Sequence, residues 1–272
     1  MGELTKNLAS LARNIRVSVL QMVNRASASH VASALSICDI VATLYGDVMR
    51  FDPRNPEWDE RDRFILSKGH ACTAIYAALA ECGFFPHEDL VNYGKDHSVL
   101  MNHISHYVPG VEFSTGSLGH GLPFGTGKAL AAKKRKLPWR TFVLMSDGEL
   151  NEGSNWEAFM FAAHHGLDNL VAIIDYNKMQ SLTTVEATLR LEPLADKFAA
   201  FGWAVREADG HDHGTLSQLL NQAPWVPGKP SVLIAHTIKG KGVRFMENRI
   251  EWHYKSPSAA QLDEALKELG YA

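Results

Sequence analysis

The chain has 272 residues, of which 46% are hydrophobic and 21% are charged, with a formal net charge of −3. This composition excludes an intrinsically disordered chain, and the length is ordinary for one α/β domain. No apolar run approaches the roughly 18 residues that a membrane span requires, and residues 1–16 lack the apolar core of a signal peptide. The near-neutral charge disfavours a nucleic-acid partner. The three cysteines form no CxxC pair, so we expect a cytoplasmic location.

Apolar residues spaced three or four apart predict helices in the first third of the chain. This spacing occurs over residues 8–22 and 31–45, and a further helical run covers residues 71–82. Residues 51–63 are charged and contain prolines, which is typical of a loop. Residues 94–127 are rich in Gly, His and Ser and show no clear periodicity. Long segments without regular structure are usually functional, so we expect a functional loop there.

Short apolar runs separated by helical segments predict a β-sheet. Strands are expected at 64–66, 141–145, 170–174, 203–207 and 231–237, and further helices at 154–166, 193–201 and 214–222. This alternation predicts parallel strands with right-handed crossovers. We therefore expect an α/β fold with a doubly wound, mostly parallel sheet and helices on both faces. The prediction is a single domain over residues 1–272, in which 251–272 form a carboxyl-terminal tail helix.

Polar residues follow two of the predicted strands. Asp147 and Gly148 come after the strand at 141–145, and Asn177 comes after the strand at 170–174, 30 residues beyond Asp147. Ligands of such sheets bind outside the carboxyl ends of the strands. A carboxylate and an amide oxygen suit Mg²⁺, which shares its coordination shell with phosphate oxygens and water, and Gly148 allows a phosphate to approach closely. Each residue alone is also common in turns, but the pair at this spacing favours a site for a metal and a diphosphate.

The segment from Asp147 to Asn177 resembles the thiamine diphosphate motif, in which a GDG triplet precedes an Asn. Its interior, NEGSNWEA, is similar to transketolases rather than to 2-oxoacid decarboxylases. Other segments resemble the same family in the same order along the chain, namely SHVASALS at 29–36, LSKGHACTAIYAAL at 66–79, FSTGSLGHGL at 113–122 and TIKGKGVRFMEN at 237–248. The chain resembles the amino-terminal, diphosphate-binding subunit of a split transketolase.

This resemblance implies an enzyme that transfers a two-carbon ketol unit from a ketose to an aldose, with thiamine diphosphate as the cofactor. It implies Mg²⁺, for which Ca²⁺ or Mn²⁺ can substitute, bound by Asp147, Asn177 and the carbonyl of Met179. The implied partner is a carboxyl-terminal transketolase subunit that supplies the pyrimidine-binding domain, in a heterotetramer that contains a homodimer of this chain. Sugars are the implied substrates, and no nucleic acid or membrane is expected to bind.

Further site residues follow from the resemblance. Cofactor contacts are implied for Gly148 and Glu149, and for a loop that contains Gly116, Ser117 and Leu118. The histidines at the positions of the family's active-site histidines are His30, His70, His103 and His253, which would contact the sugar hydroxyls and, for His70 and His253, the cofactor. Glu152 matches the family's glutamate that communicates with the second active site across the dimer. Glu157, five residues further on, is equally consistent with an exposed carboxylate of the predicted helix at 154–166. Seven other histidines are expected to be structural or on the surface, namely His87, His97, His106, His164, His165, His211 and His213.

The sequence departs from the family pattern in the loops that would face the substrate. Ser29, Val31 and Ala32 replace Gly and Pro around His30, and Ser117 replaces a proline. We expect the cofactor to be retained and the sugar to be unusual. Two alternatives stay open: another thiamine diphosphate reaction, such as a deoxyxylulose-phosphate-type condensation or a 2-oxoacid decarboxylation, and a regulatory subunit of the same fold without catalytic activity.

Overall fold

The computed structural model describes residues 7–271 of the protein. In this range the α-helices, in chain order, are α1 Leu8–Ala26, α2 Val31–Leu35, α3 Cys38–Thr43, α4 Cys72–Glu81, α5 Gly121–Arg135, α6 Gly153–His164, α7 Val185–Thr188, α8 Leu194–Ala200, α9 His213–Asn221 and α10 Ala259–Glu268. None of the helices in the described range is long and apolar enough to cross a membrane.

The strands form one parallel sheet. They are β1 Arg63–Leu66, β2 Thr141–Ser146, β3 Leu170–Tyr176, β4 Ala204–Asp209 and β5 Ser231–His236. Their spatial order is β1-β2-β3-β5-β4, and every neighbouring pair is parallel. The prediction of an α/β fold with a parallel sheet is confirmed. β4 lies at the edge because β5, which follows it in the chain, pairs between β3 and β4.

Alternating side chains of the central strands pack against helices on the two faces of the sheet. Phe142 and Leu144 belong to the larger apolar core, which contains residues of α1, α3 and α4. Val143 and Met145 belong to the second core, which contains Phe159 of α6. A strand with helices on both faces is apolar along its whole length, which explains the uninterrupted apolar runs in β2 and β3.

The register of β2 and β3 aligns the carboxyl ends of these two strands. Ser146 is the partner of Asp175 in the ladder. The residues that follow them therefore emerge at the same edge of the sheet. The two strands are neighbours in the sheet, as a site shared by Asp147 and Asn177 requires.

Two expectations about the elements were wrong. The helical spacing over 31–45 is divided between α2, α3 and a short π-helical turn at Leu44–Val48. The segment 94–127 is not irregular throughout, because α5 begins at Gly121. Its glycines conceal the helix from a periodicity search. Packing requires the glycine at position 121, because a Cβ at Gly121 would lie 2.4 Å from the Cβ of Ser67.

The carboxyl-terminal segment contains two helical pieces. A short 3₁₀ helix covers Ile250–His253, and α10 covers Ala259–Glu268. Ser258 and Gln261 form a capping box that begins α10, because each side chain satisfies a backbone N–H of the other. Within the predicted tail, residues 254–258 separate the two pieces, and residue 272 lies outside the described range, as do residues 1–6.

Candidate functional site

The carboxyl ends of β2 and β3 bring Asp147 into contact with the segment that follows β3. Asp147 is only 1% exposed. Its Oδ1 accepts a hydrogen bond from the N–H of Gly148 at 2.7 Å, and its Oδ2 accepts one from the N–H of Lys178 at 2.5 Å. Lys178 has a positive φ of 66°. This backbone conformation turns the chain after β3 back toward β2, so that Asn177 and Met179 lie beside Asp147.

Asn177 is held with its amide oxygen directed away from the buried Asp175. Its Nδ2 donates to Asp175 Oδ2 at 3.0 Å, and its Oδ1 accepts from the N–H of Met179 at 3.1 Å. Asp147, Gly148, Asn177 and Met179 line one cavity of about 220 Å³. The structure therefore brings the predicted metal ligands together at one place.

The carboxylate of Asp147 is buried without an ion pair to a basic side chain of residues 7–271. Burial, and then the nearby Asp175, raise the pKa of Asp147 to about 7, although two backbone N–H groups partly offset this. Among residues 7–271, no Lys, Arg or His side chain forms an ion pair with this carboxylate. A divalent cation would stabilise the ionised form. One carboxylate, one amide oxygen and one carbonyl form a set of hard oxygen ligands, which suits Mg²⁺ completed by phosphate oxygens and water.

A buried ion pair lies beneath this cavity. Lys68 Nζ is 2.5 Å from Asp175 Oδ2, and both side chains are fully buried. Asp175 also accepts hydrogen bonds from Ser36, at 2.7 Å, and from Thr237. Burial alone would raise the pKa of Asp175, but the charge and the hydrogen bond of Lys68 lower it. Asp175 therefore stays ionised, and it orients the amide of Asn177.

The four predicted histidines form one cluster. The ring centroid of His30 lies 5.0 Å from that of His70, 5.0 Å from that of His253 and 6.0 Å from that of His103. His70 and His253 line the cavity that contains Asp147, and Tyr254 packs edge-on against His253. The four histidines come from four separate segments of the sequence.

The environment keeps three of these imidazoles neutral. Burial lowers the pKa of His30 to about 4 and the pKa of His253 to about 3, and nearby positive charges lower both further. Burial likewise lowers the pKa of His70 well below its ordinary value. A neutral imidazole has one N–H donor and one acceptor nitrogen. The cluster can therefore both donate hydrogen bonds to hydroxyl groups and accept them near neutral pH.

Neighbouring side chains contact one ring nitrogen of each of these three histidines. Ser29 Oγ lies 3.0 Å from His30 Nδ1, and Ser33 Oγ lies 2.9 Å from His70 Nε2. Lys239 Nζ lies 3.1 Å from Nδ1 of His253. An ammonium group can only donate, so His253 Nδ1 accepts and the proton of that ring resides on Nε2.

Lys239 is a site residue that the sequence analysis did not single out. Its side chain is buried, and its Nζ donates to the carbonyls of Met179 and Gln180 at 3.2 and 2.8 Å. Burial, and then the charge of Lys68, lower its pKa to about 8. Ser33, Gln180 and Lys239 all line the cavity. For Ser33 and Lys239, the sequence signal was their position in the segments 29–36 and 237–248, which resemble the transketolase family.

The remaining predicted residues lie at the border of the cavity or behind it. Leu118 lines the cavity, whereas Gly116 and Ser117 are exposed, and a Cβ at Gly116 would lie 3.9 Å from His103. Glu149 is fully buried; its Oε1 accepts from the N–H of Gly119 at 2.9 Å and from Ser67, so it supports this loop from behind. Glu152 is exposed at the start of α6. The contacts proposed for Glu149 and Glu152 stay predictions.

The sequence matches the family described as "Transketolase, thiamine diphosphate binding domain" over residues 8–272. It is 42% identical over 254 residues to one subunit of an apulose-4-phosphate transketolase from Phocaeicola vulgatus, and the match covers 93% of this chain and 90% of that protein. It is 41% identical over 270 residues to one subunit of a 6-deoxy-6-sulfo-D-fructose transketolase from a Clostridium species, and this match covers 99% of this chain and 98% of that protein.

Solved structures of transketolases have the same fold. A transketolase from Campylobacter jejuni superimposes with a TM-score of 0.92 and 31% identity, and the match covers all of this chain but 43% of that one. A transketolase from Leishmania mexicana gives a TM-score of 0.91 at 28% identity, and 41% of its chain is covered. The chain thus spans less than half the length of these solved transketolases. The family match over residues 8–272, together with these relatives, shows that the chain belongs to the transketolase family through its thiamine diphosphate-binding domain.

Proposed function

We propose that this chain is the thiamine diphosphate-binding subunit of a two-chain transketolase, which transfers a two-carbon ketol unit from a ketose to an aldose. The observation that supports this function is one cavity in which the oxygen ligands of Asp147, Asn177 and Met179 meet the histidines His70 and His253. A Mg²⁺–diphosphate group needs the first set, and proton transfer to sugar hydroxyls needs the second.

The residues of the chain have separate roles in this proposal. Asp147, Asn177 and the carbonyl of Met179 would hold Mg²⁺, for which Ca²⁺ or Mn²⁺ can substitute, and this ion would neutralise the charge of the diphosphate. Thiamine diphosphate, when bound, would supply the carbanion chemistry that transfer of a ketol unit requires. His30 and His253 are neutral, so they orient the sugar hydroxyls and exchange protons with them.

A second chain completes the site in this proposal. The chain covers 90% and 98% of two relatives that are themselves named as subunits, but 43% of a transketolase with a longer chain. Tyr254 lines the cavity and is 60% exposed, and Leu182 is 81% exposed next to Ser181, another lining residue. Exposed apolar side chains at the border of a site are typical of a surface that a partner covers. We propose that the partner is the carboxyl-terminal transketolase subunit with the pyrimidine-binding domain, in a heterotetramer built on a homodimer of this chain.

The sugar is proposed by class only. The named substrates of the two subunit relatives, apulose 4-phosphate and 6-deoxy-6-sulfo-D-fructose, are both ketoses with an anionic group. The unusual residues Ser29, Val31 and Ala32 adjoin His30, which belongs to the histidine cluster. We therefore propose an anionic ketose as the donor.

The proposal is tested by measuring ketol transfer with the chain alone and with its carboxyl-terminal partner. We expect transfer only by the two chains together, with Mg²⁺ and thiamine diphosphate present, because the chain alone supplies only the diphosphate half of the cofactor site. The donors compared are phosphorylated, sulfonated and neutral ketoses, with pyruvate as a further donor. Transfer by the chain alone contradicts the two-chain arrangement. Release of CO₂ from pyruvate indicates a decarboxylase instead, and cofactor binding without any turnover indicates a regulatory role.

A further inference from the structure

A second buried cluster lies outside the candidate cavity, around Asp39 of α3. Arg16 of α1 donates from both terminal nitrogens to this carboxylate, at 3.1 and 2.5 Å. His211 Nδ1 lies 2.7 Å from Asp39 Oδ2, and His213 Nε2 lies 3.1 Å from Asp39 Oδ1. Asp39 is 5% exposed and Arg16 is 7% exposed. A simple buried ion pair requires only the arginine, so the histidines need a separate explanation.

The same cluster holds the backbone of the loop that follows β5. His211 Nε2 accepts a hydrogen bond from the N–H of Ile238 at 2.9 Å. Arg16 donates from Nε to the carbonyl of Lys241 at 3.1 Å. These two contacts lie on either side of Lys239, the residue that donates to the carbonyls of Met179 and Gln180.

The hydrogen-bond pattern shows which ring nitrogen of His211 carries the proton. Its Nε2 faces the N–H of Ile238, so that nitrogen is the acceptor. The ring proton is therefore on Nδ1, which donates to the carboxylate of Asp39. The carboxylate orients the ring, and the ring in turn positions the backbone of the loop, as in other carboxylate–histidine pairs.

We propose that Arg16, Asp39 and His211 form a loop clamp, which positions the 237–242 loop so that the ammonium group of Lys239 reaches the candidate cofactor cavity. The three members are positioning residues, because none of them lines the cavity itself. The inference deepens the proposed function: where that function holds, the loop clamp sets the affinity of the chain for thiamine diphosphate without touching it.

Two substitutions of His211 separate its two hydrogen bonds. An asparagine amide lies near the position of Nδ1, so His211→Asn retains the bond to Asp39 and loses the bond to Ile238. A glutamine amide reaches the position of Nε2, so His211→Gln retains the acceptor for Ile238. His213→Asn is the matched control, because His213 contacts the same carboxylate without a hydrogen bond to the loop.

The first measurement is hydrogen exchange of the backbone amides of residues 237–242 in the chain. We expect about tenfold faster exchange for His211→Asn, because one ordering hydrogen bond is lost. His211→Gln and His213→Asn should exchange like the wild type. Equal exchange for His211→Asn and the wild type overturns the loop clamp, whether or not the chain binds a cofactor.

The second measurement is the affinity of the complex with its partner chain for thiamine diphosphate in the presence of Mg²⁺, by calorimetry. We expect about tenfold weaker binding for His211→Asn and recovery for His211→Gln. A purely structural role predicts instead that both variants are weakened alike, and that result contradicts the proposal. A wild-type complex that binds no thiamine diphosphate contradicts the proposed function, while the exchange experiment still decides the loop clamp.

Discussion

Asp147 combines deep burial with a raised pKa, and its two side-chain oxygens face backbone N–H groups. Its neighbour Asp175 is equally buried, but the charge of that carboxylate is balanced by the ammonium group of Lys68. The two carboxylates thus differ in what balances their charge. Lys68 balances the charge of Asp175, whereas Asp147 lines the cavity and is held by backbone N–H groups.

Replacing Asp147 with alanine should abolish the Mg²⁺-dependent uptake of thiamine diphosphate by the complex of the two chains. The carboxylate is the one charged ligand of the proposed metal site, and few protein ligands bind this ion. Calorimetry with and without Mg²⁺ measures the effect. Asp263→Ala, at an exposed position on α10, is the control and should bind as the wild type does. Undiminished uptake by the Asp147 variant would remove the basis of the metal assignment.

Replacing His30 with alanine should lower the rate of ketol transfer by about 10²–10⁴-fold, the usual contribution of a general acid or base. Cofactor affinity should change little, because His30 does not line the cavity that contains Asp147. The measurement is kcat of the complex together with its affinity for thiamine diphosphate. His106→Ala, at an exposed histidine, should retain full activity. An unchanged kcat for the His30 variant would contradict its catalytic role.

The parts of the site that are local in sequence could be predicted, and the parts that depend on distant contacts could not. Asp147 and Asn177 each end a recognisable strand, so their spacing placed them at one edge of the sheet. Lys239 does not stand out among the lysines of the chain. Its importance comes from contacts with Met179 and Gln180, about 60 residues earlier. Ser33 likewise gains its position from His70.

At the scale of the elements, α5 shows why some of the fold could not be predicted. This helix contains three glycines in its first seven residues, which conceals the helical periodicity. Gly125 is buried, and a Cβ there would lie 2.5 Å from Val143 Cγ2 of β2. Gly127 is exposed, and no atom of the described residues lies within 4 Å of such a Cβ. Only the packing against the sheet distinguishes the two glycines. The strands β2, β3 and β5 were predictable because their apolar runs are short and uninterrupted.

Replacing these two glycines with alanine should change the free energy of unfolding in opposite directions. Gly127→Ala should raise the free energy of unfolding by about 0.5–1 kcal/mol, because alanine is the better helix former and meets no obstacle. Gly125→Ala should lower it by about 1–3 kcal/mol, because the added methyl group crowds Val143 in a well-packed core. Urea unfolding of both variants measures the difference. Equal effects would contradict the close packing of α5 on β2.

At the scale of the whole molecule, the buried histidines connect stability to pH. The pKa of His30 is about 4 in the folded chain against an ordinary 6.5. Between these values the unfolded chain binds more protons at this residue, so His30 lowers stability as the pH falls. The buried Asp147, with a pKa of about 7, acts in the opposite direction. The effect of His30 is therefore visible only by comparison with a variant that lacks it.

His30→Asn should become more stable relative to the wild type when the pH is lowered from about 7 to about 5. In the wild type, unfolding allows the imidazole of His30 to bind a proton in this pH range, and this favours the unfolded chain. The asparagine of the variant does not titrate, so the variant loses this contribution. The measurement is urea unfolding of both chains at the two pH values. A difference in stability that is the same at both values would show that His30 titrates alike in the folded and unfolded chains.

The order of the strands determines when the sheet can be completed during synthesis. Within residues 7–271, β4 pairs only with β5, although β5 follows it in the chain. The strands β1, β2 and β3 can pair once residue 176 has left the ribosome, but β4 must wait for residues 231–236. A nascent chain that pauses between these points presents an unpaired edge strand, which is prone to aggregation. It also lacks Lys239 and His253, so the cavity that contains Asp147 is still incomplete at that stage of synthesis.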